Sequence, residues 1–228
     1  MVFPSNPIDG TAHYSTMGVS SASVGMATSK PGDLLILAVG TTSNSAYITV
    51  TTVSGGGLTW KKRGAATYPY RLAGVYFYNN LEVWYALQPT AGPVTISVTL
   101  SGTASVQLDL GVFGVVGASG FDPGRSSLSS GSGNTSLAEV TGFSTTQPNT
   151  FVFGICEVSI PPGAGSGFTL IISGVAPESE YQVFTSVQTG ITVAFASFVG
   201  STYWLMVADA LVAAPPVWYA TGDGLTQF

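Results

Sequence analysis

Charged residues are scarce in this chain. Asp, Glu, Lys and Arg make up 7% of its 228 residues, whereas roughly a quarter of the residues of ordinary soluble domains are charged. With six basic residues and a net charge of −5, the chain lacks the clustered cations that phosphate contacts require, and we expect no nucleic acid among its partners. Uncharged hydroxyl and amide side chains must keep its surface in water, which suits a protein that faces extreme pH, other proteins or glycans.

Cysteine and histidine are almost absent as well. Cys156 is the single cysteine, which excludes an intrachain disulfide and a cysteine-based metal site. Its apolar surroundings predict a buried, inert thiol. His13 is the single histidine; it has no nucleophile motif to partner it, and the sequence holds no phosphate-binding or calcium-binding loop motif. We therefore predict that the chain is not an enzyme, and we expect no catalytic residue, no metal ion and no cofactor.

Long apolar runs are missing too. The longest candidate, residues 203–214, is interrupted by Asp209 and followed by Pro215 and Pro216, so we expect no membrane insertion. The first ten residues lack the basic start and apolar centre of a signal peptide. A weakly charged chain without such a signal suggests either that a signal peptide has been removed or that the protein leaves the cell inside a virus particle.

What the sequence does contain is a series of short β patterns. Gly (29 residues) and Pro (13 residues) punctuate the chain, and no segment of useful length has helical periodicity. Residues 94–100 alternate between apolar and polar side chains, which predicts a strand with one buried face. Residues 33–40 and 150–155 are almost continuously apolar, which predicts central strands covered on both faces.

These patterns occur twice in the same order. Residues 23–40 match residues 140–157, with Gly25 on Gly142 and Pro31 on Pro148. The further matches are 55–62 with 165–172, 81–84 with 181–184, 94–101 with 191–198, and 105–112 with 201–208. Because repeated strands imply a repeated architecture, we predict an all-β, double-sheet jelly-roll-like sandwich of about twelve strands with pseudo-repeated halves.

The repeat also suggests the domain boundaries. We expect an N-terminal arm (1–14), a single β-sandwich domain (15–213) and a C-terminal arm (214–228). Inside the domain, half-repeats of about 15–117 and 136–213 are joined by a Gly- and Ser-rich crossover at 118–135. A flexible linker between two domains is the alternative for that segment. We prefer the crossover because two stacked halves cover faces and edges that each half alone would expose.

Aromatic residues are concentrated between residues 68 and 85, where they alternate with Arg71 and two asparagines. This mixture favours a glycan-binding or protein-binding face, although a division between core and a tyrosine-rich loop explains it equally well. The candidate binding residues are Tyr68, Tyr70, Arg71, Tyr78 and Trp84. Beyond the last strand, Trp218 and Tyr219 follow a rigid Pro–Pro pair, and an aromatic arm there predicts assembly contacts with a neighbour.

Four of the six basic residues, Lys61, Lys62, Arg63 and Arg71, fall in one short stretch. A solvent-exposed strand end is the preferred interpretation, and a head-to-tail contact between subunits is the alternative.

The carboxylates give only a weak indication of catalytic function. Glu178 and Glu180 lie in a Pro-flanked segment, where we expect them in solvent. Glycosidases need two carboxyl groups across a cleft, and the candidates are Glu82, beside Trp84, and Asp109 on a later strand.

The chain contains, in order, the stretches PGDLLILAVG, GGGLTWKKR, LEVWYALQP, VTISVTLSG, LGVFGVVGA and FD. Across most of residues 20–213 it resembles a loosely defined group of β-sandwich surface proteins from bacteriophage tails, archaeal virus particles and some secreted bacterial proteins. The shared motifs are structural, so no active-site residues carry over. The resemblance implies a jelly-roll-like fold and a place on the outside of a particle, as in a capsid turret, spike or tail fibre. The low charge resembles that of proteins from acidophilic or thermophilic hosts.

Three functional hypotheses follow. The first is a non-enzymatic structural protein of a virion or cell surface that self-assembles, binds other copies or other virion proteins, and contacts a host surface. The second is a carbohydrate-binding module that uses the aromatic segment to bind host glycans. The third is a glycoside hydrolase.

Overall fold

The computed structural model describes residues 2–214, together with the backbone of residues 218–221 and 224–227. Every regular element in these residues is a β-strand, so the predicted all-β class is confirmed. Accordingly, the described part of the chain contains no helix with the length and apolarity to cross a membrane.

The first half contains β1 (Ile8–Thr16), β2 (Val19–Thr28), β3 (Asp33–Ser43), β4 (Val50–Gly55), β5 (Lys61–Leu72), β6 (Val75–Gln88), β7 (Gly92–Ala104) and β8 (Gln107–Val115). The second half contains β9 (Ala118–Phe121), β10 (Ser129–Thr135), β11 (Glu139–Phe143), β12 (Thr150–Val158), β13 (Thr169–Ile172), β14 (Glu178–Phe184), β15 (Ile191–Ala194) and β16 (Thr202–Ala213). Residues 8–213 thus form sixteen strands rather than the dozen expected, because short edge strands are added to the predicted ones. A hairpin of β17 (Trp218–Thr221) and β18 (Gly224–Gln227) follows.

The strands form antiparallel sheets whose order is the same in both halves. The first long sheet has the order β1-β8-β3-β6-β5, and the second long sheet has the order β10-β16-β12-β14-β13, with β9 also paired to β16. The first outer sheet is β2-β7-β4, and the second outer sheet is β11-β15. In the first half, β1, β8, β3 and β6 lie side by side, and β2 and β7 face them; in the second half, β10, β16, β12 and β14 lie side by side, and β11 and β15 face them, as in a jelly roll. The predicted jelly-roll-like sandwich with pseudo-repeated halves is confirmed.

The sheet registers show how closely the halves correspond. Gly40 pairs with Asp109 in the first half. Their sequence matches, Glu157 and Leu205, pair with each other in the second half. The match between β6 and β14 identifies the correct strands but is displaced by four residues, because Asp33 pairs with Gln88 whereas its counterpart Thr150 pairs with Phe184. An even displacement keeps every side chain on the same face, so the apolar pattern cannot detect it.

Three apolar clusters show that the sheets form four layers. One cluster lies between the first outer and first long sheets, and another lies between the second long and second outer sheets. The third cluster joins the two halves, since it combines Ile36 and Phe113 of the first long sheet with Phe153 and Leu205 of the second. The two long sheets are therefore covered on both faces, and β3 and β12 are buried along their whole lengths, as their continuous apolarity predicts.

Two segments that were expected to lie outside the core strands take part in the sheets. Residues 8–14, expected in an N-terminal arm, belong to β1, which pairs with β8. Residues 118–135, expected to form the crossover, contribute β9 and β10, which both pair with β16. The side chains of Trp218 and Tyr219, predicted to make assembly contacts, lie outside the described residues.

Candidate functional site

The five candidate binding residues all lie on β5 and β6, but they are divided between the two faces of the first long sheet. Tyr68 and Tyr70 face the second half, where Tyr68 packs against the cluster that joins the halves. Arg71, Tyr78 and Trp84 lie on the opposite face, because neighbouring side chains of a strand alternate in direction and Trp84 packs against the first outer sheet. The structure therefore does not bring the five residues together in one binding surface.

Tyr70 takes part in a three-ring stack that crosses the boundary between the halves. Its ring lies 5.1 Å from the ring of Phe77 and 4.2 Å from the ring of Tyr203, with interplanar angles of 14° and 19°. The Tyr203 hydroxyl donates a hydrogen bond of 2.9 Å to the backbone carbonyl of Arg71. Both faces of the Tyr70 ring are thus covered, so this residue connects the halves and offers no free platform to a ligand. Tyr203 lies far away in sequence, and the local aromatic pattern could not identify it.

A second aromatic group is exposed and involves Arg71, Tyr76, Tyr78 and Tyr47, which we call the tyrosine patch. Tyr78 contacts the edge of Tyr47 at 5.2 Å and lies parallel to Tyr76 at 6.5 Å. The Arg71 guanidinium lies 5.4 Å from the centre of the Tyr76 ring, and Tyr76 is 54% exposed. Two of the predicted residues, Arg71 and Tyr78, therefore belong to an accessible surface. Tyr47 and Tyr76, which complete this patch, were not among the binding residues predicted from the sequence.

Glu82 and Trp84 do not line a groove. Glu82 is fully buried, and its carboxylate receives hydrogen bonds from the Trp84 indole at 3.0 Å, the Val50 amide at 3.0 Å and the Asn80 side chain at 3.2 Å. The Lys62 ammonium lies 2.8 Å from the same carboxylate. Every one of these contacts holds the charged carboxylate in place, so Glu82 links the first long sheet to the first outer sheet.

Arg63 also binds a buried carboxylate, that of Asp209 in the second half. Its Nε lies 2.6 Å from Asp209, and Nε of Arg125 lies 3.3 Å from the other carboxylate oxygen. The two guanidinium groups also lie over the rings of Phe121 and Phe143, at 4.2 Å and 3.9 Å. The preferred interpretation of the basic segment as solvent-exposed is therefore wrong for Arg63. Its partner comes from the other half and cannot be inferred from local sequence.

Between the halves, near the carboxyl ends of β3 and β12, lies a cavity of about 440 Å³. Its lining includes Tyr70, Gln107, Glu157 and Tyr203. Glu157 extends into the space left by Gly40, where a side chain would collide with it, and it contacts the carboxyl group of Asp109. Burial, followed by this carboxyl contact, raises the pKa of Glu157 well above its ordinary value, and burial also raises the pKa of Asp109.

Two carboxyl groups in direct contact share a proton when they are buried. Glycosidases separate theirs by roughly 5 to 9.5 Å, which is wider than the contact between Asp109 and Glu157. This pair is therefore suited to holding the halves together through a proton.

Glu178 and Glu180 are buried rather than in solvent, so that expectation is wrong. They lie on β14, which is covered on both edges by β12 and β13. Glu180 accepts a hydrogen bond of 2.7 Å from the Gly165 amide. Burial, which outweighs this hydrogen bond, raises the pKa of Glu180 to about 8 and also raises the pKa of Glu178.

An aspartate in each half binds an equivalent turn, the one between β2 and β3 in the first half and the one between β11 and β12 in the second, and we call this contact the aspartate clamp. In the first half, Asp9 accepts hydrogen bonds from the Ser29 amide at 2.8 Å, the Ser29 hydroxyl at 2.9 Å and the Lys30 amide at 2.6 Å. In the second half, Asp122 accepts equivalent bonds from the amide and hydroxyl of Thr146. Burial alone would raise both pKa values, but these hydrogen bonds lower the pKa of Asp9 and of Asp122.

The donors of the two clamps are equivalent in the repeat, because Ser29 matches Thr146 when Pro31 is placed on Pro148. The aspartates lie outside the segments that the sequence comparison matched, and for that reason it missed them. The clamps show that the repeat extends to individual hydrogen bonds.

One end of the four-layer stack, which we call the apolar end, exposes hydrophobic side chains on several loops. The loops 16–19, 72–75, 158–163 and 198–201 contain no charged residue. Their exposed side chains are Met17, Leu72, Val75, Ile160 and Val199. The loops meet at this end, because Leu72, Ser159 and Ser201 line one cavity, and Ser15 and Ser159 line another.

Within residues 2–214, no three or more His, Cys, Asp and Glu side chains are grouped so that they could hold a metal ion. The geometry thus offers the tyrosine patch and the apolar end as accessible surfaces, and the carboxyl pair as a buried element of the boundary between the halves. No family model, no curated protein and no solved structure matches this chain.

Proposed function

We propose that the chain is a non-enzymatic structural protein of a virion or cell surface, such as a turret, spike or tail-fibre component, that self-assembles and contacts a host surface. The apolar end is the observation that carries this proposal. Side chains such as Met17 and Val199, which are 71% and 98% exposed, are costly to leave in water at roughly 25 cal/mol per Å² of apolar surface. Grouped apolar exposure on a folded domain indicates a contact surface.

The architecture supports the same proposal. Jelly rolls occur in viral capsid proteins as well as in lectins, although a fold alone does not specify a function. Two jelly-roll-like halves are joined by a buried cluster and present loops at the ends of the stack. Another copy of the chain or another virion protein is the partner that suits this end, because its loops contain no charged residue and the adjacent Arg71 guanidinium already donates a hydrogen bond to the Gly74 carbonyl.

The test is the molar mass in solution, measured by light scattering over a range of concentrations. The double variant Leu72→Ser/Val75→Ser removes two exposed apolar side chains from the apolar end. The matched control, Leu87→Ser/Val187→Ser, changes two similarly exposed side chains elsewhere on the surface. We expect the wild type and the control to associate and the first variant to dissociate; a monomeric wild type, or equal association of both variants, would contradict the proposal.

A carbohydrate-binding module is the second candidate, and the tyrosine patch favours it. Aromatic faces beside a guanidinium provide stacking and hydrogen bonding for sugar rings, and Tyr76 is accessible beside Arg71. We expect glycan-array binding that is lost in Tyr76→Ala and retained in Tyr14→Ala, which removes an exposed tyrosine of β1. Absence of binding across a broad array would count against this function. The two candidates are compatible, since a surface protein can bind host glycans.

A further inference from the structure

At the end of the stack opposite the apolar end, two carboxyl groups of the first half lie against each other. The Asp33 carboxyl contacts the carboxylate of the Asp9 clamp. Asp33 is fully buried, and neither of its carboxylate oxygens has a hydrogen-bond donor. Two like charges in contact require a positive charge between them, either a proton or a cation.

Two neutral oxygens without donors lie beside this pair. Gln88 is the cross-strand neighbour of Asp33, and its amide nitrogen bonds the Gly92 carbonyl at 3.1 Å, which leaves Oε1 without a donor. Thr28 pairs with Gly92 through the backbone, and its hydroxyl also has no partner. Gln88 and Thr28 are 5% and 6% exposed, so solvent does not satisfy these groups.

Three of the four side chains face the same gap, and the fourth, Asp9, contacts Asp33. Asp33, Gln88 and Thr28 all face the gap between the first long sheet and the first outer sheet. A side chain added at Gly114 would meet the backbone carbonyl of Asp9 and the methyl group of Thr28, which shows that β1 and β2 approach each other here. A cavity of about 190 Å³ is lined by Gln88 and Gly92 among others, and so reaches one of the four side chains.

The second half provides an internal comparison. Its clamp aspartate, Asp122, corresponds to Asp9, but the residue that matches Asp33 is Thr150. Thr150 is buried and its hydroxyl has no partner. The second half therefore has one carboxylate where the first half has two.

We propose that Asp9, Asp33, Gln88 and Thr28 form a Ca²⁺ site in the first half. A shared proton would relieve the contact between the carboxyl groups, but it would leave the Gln88 carbonyl oxygen without a partner. A cation coordinated by all four side chains satisfies every one of these oxygens. The donors are all oxygens, which suits Ca²⁺ better than Zn²⁺. A buried site made of protein side chains also suits Ca²⁺ better than Mg²⁺, which usually keeps several of its waters. The four donor residues lie on four different strands, so no short sequence motif identifies the site.

Lys30 is the competing cation. Its charge acts on Asp33, but the side chain is solvent-exposed. Its counterpart in the second half is Gln147, so the substitution Lys30→Gln introduces a residue that the fold already accepts at the equivalent position. Removing this positive charge beside the site should tighten Ca²⁺ binding by about two- to fivefold.

The test uses the full chain after dialysis against EDTA, near neutral pH. We expect CaCl2 to raise the melting temperature progressively and to bind in calorimetry with a dissociation constant on the order of 10⁻⁴ to 10⁻³ M, as in extracellular calcium modules. MgCl2 at the same concentration should have a much smaller effect. Asp33→Thr, which copies the second half, should abolish the response, and Asp122→Asn, which alters the clamp without a second carboxylate, should retain it.

Three outcomes would overturn the site. These are a wild type that CaCl2 neither stabilises nor binds, an Asp33→Thr variant that responds like the wild type, and an Asp122→Asn variant that loses the response. Should Asp33→Thr fail to fold, Lys30→Gln decides the matter, because an exposed substitution that leaves Ca²⁺ affinity unchanged also contradicts the assignment. The site is independent of the proposed assembly, which is measured by molar mass.

Discussion

The two halves share a strand order but differ in how they treat buried charge. In the first half, the buried Glu82 is matched by the ammonium of Lys62. In the second half, Glu178 and Glu180 are buried with backbone amides as their donors. The two halves have in common the strand order of their long sheets and the turns bound by the aspartate clamps. The differences show that each half has its own means of keeping carboxyl groups in the interior, and they predict different responses to pH and to substitution.

Glu180, in the second half, should contribute strongly to the pH dependence of stability, and this is the largest effect that we expect. Because the pKa of Glu180 is raised to about 8 from 4.5, the folded chain binds more protons than the unfolded chain between these values. The contribution of Glu180 to the free energy of unfolding is therefore greatest at acidic pH and is lost as the pH rises towards 8. The loss is up to about 1.4 kcal/mol per pH unit for each such proton. Urea unfolding of the wild type and Glu180→Gln at several pH values measures this, and the variant should show a shallower decline.

A substitution beside Glu82 in the first half provides the comparison with Glu180→Gln in the second half. Lys62→Gln removes the ammonium that lies 2.8 Å from the buried Glu82 carboxylate. The variant should have a lower free energy of unfolding than the wild type, because a buried carboxylate then lacks its cation. An identical pH profile for the wild type and Glu180→Gln would contradict the assignment of the effect to the second half.

The ion pair across the boundary gives the next largest effect. Arg63→Ala leaves Asp209, which is fully buried, with Arg125 as its remaining cation. Removing one partner of a buried ion pair costs about 3 kcal/mol or more, and the lost packing of the guanidinium on Phe121 adds to this. Lys61→Ala, two residues away and exposed, should change the free energy of unfolding by less than about 0.5 kcal/mol. Equal losses in urea unfolding would show that Arg63 does not hold the halves together.

The carboxyl pair at the boundary can be tested through two glycines. A methyl group at Gly40 would lie 1.9 Å from an oxygen of Glu157, so Gly40→Ala must displace this carboxyl group and should cost about 1–3 kcal/mol. Gly25 lies on the neighbouring β2, and a methyl group there meets nothing within 4 Å. Gly25→Ala should therefore be close to neutral in the same urea experiment. A neutral Gly40→Ala would mean that Glu157 moves away freely and that the pair does not hold the boundary.

The same comparison explains how much could be predicted from the sequence. Continuous apolarity in β3 and β12 predicted that both are covered on both faces, because a strand in water keeps a polar face. The order of the matched segments predicted the repeated strand order. These are properties that each segment carries by itself, together with its position along the chain.

Contacts between distant segments could not be predicted. The alternation of apolar residues determines which face a side chain occupies, but not which neighbour it meets across the sheet or across the core. Tyr203 and Asp209 lie more than a hundred residues from Tyr70 and Arg63, and the sequence contains no signal that joins them. The buried carboxyl groups of Glu178 and Glu180 were misplaced for the same reason, since their donors belong to other loops. A candidate site assembled from one aromatic segment was therefore divided between two faces.

The smallest expected difference is between the stability losses caused by removing each of the two clamp aspartates. Asp122→Ala removes the acceptor of several hydrogen bonds in a fully buried position and should cost about 2 kcal/mol, since bonds to a charged group contribute roughly 1.5–3 kcal/mol. Asp9→Ala removes an equivalent set, but it also removes the carboxylate that faces Asp33. In EDTA the loss of repulsion between Asp9 and Asp33 should offset part of the lost hydrogen bonding, so that Asp9→Ala costs about 1 kcal/mol, less than Asp122→Ala.

Addition of CaCl2 should increase the difference in free energy of unfolding between the wild type and Asp9→Ala. The difference between the wild type and Asp122→Ala should stay unchanged. Equal costs in EDTA would mean that Asp33 exerts no repulsion on Asp9, and the two clamps would then be equivalent in energy as well as in geometry.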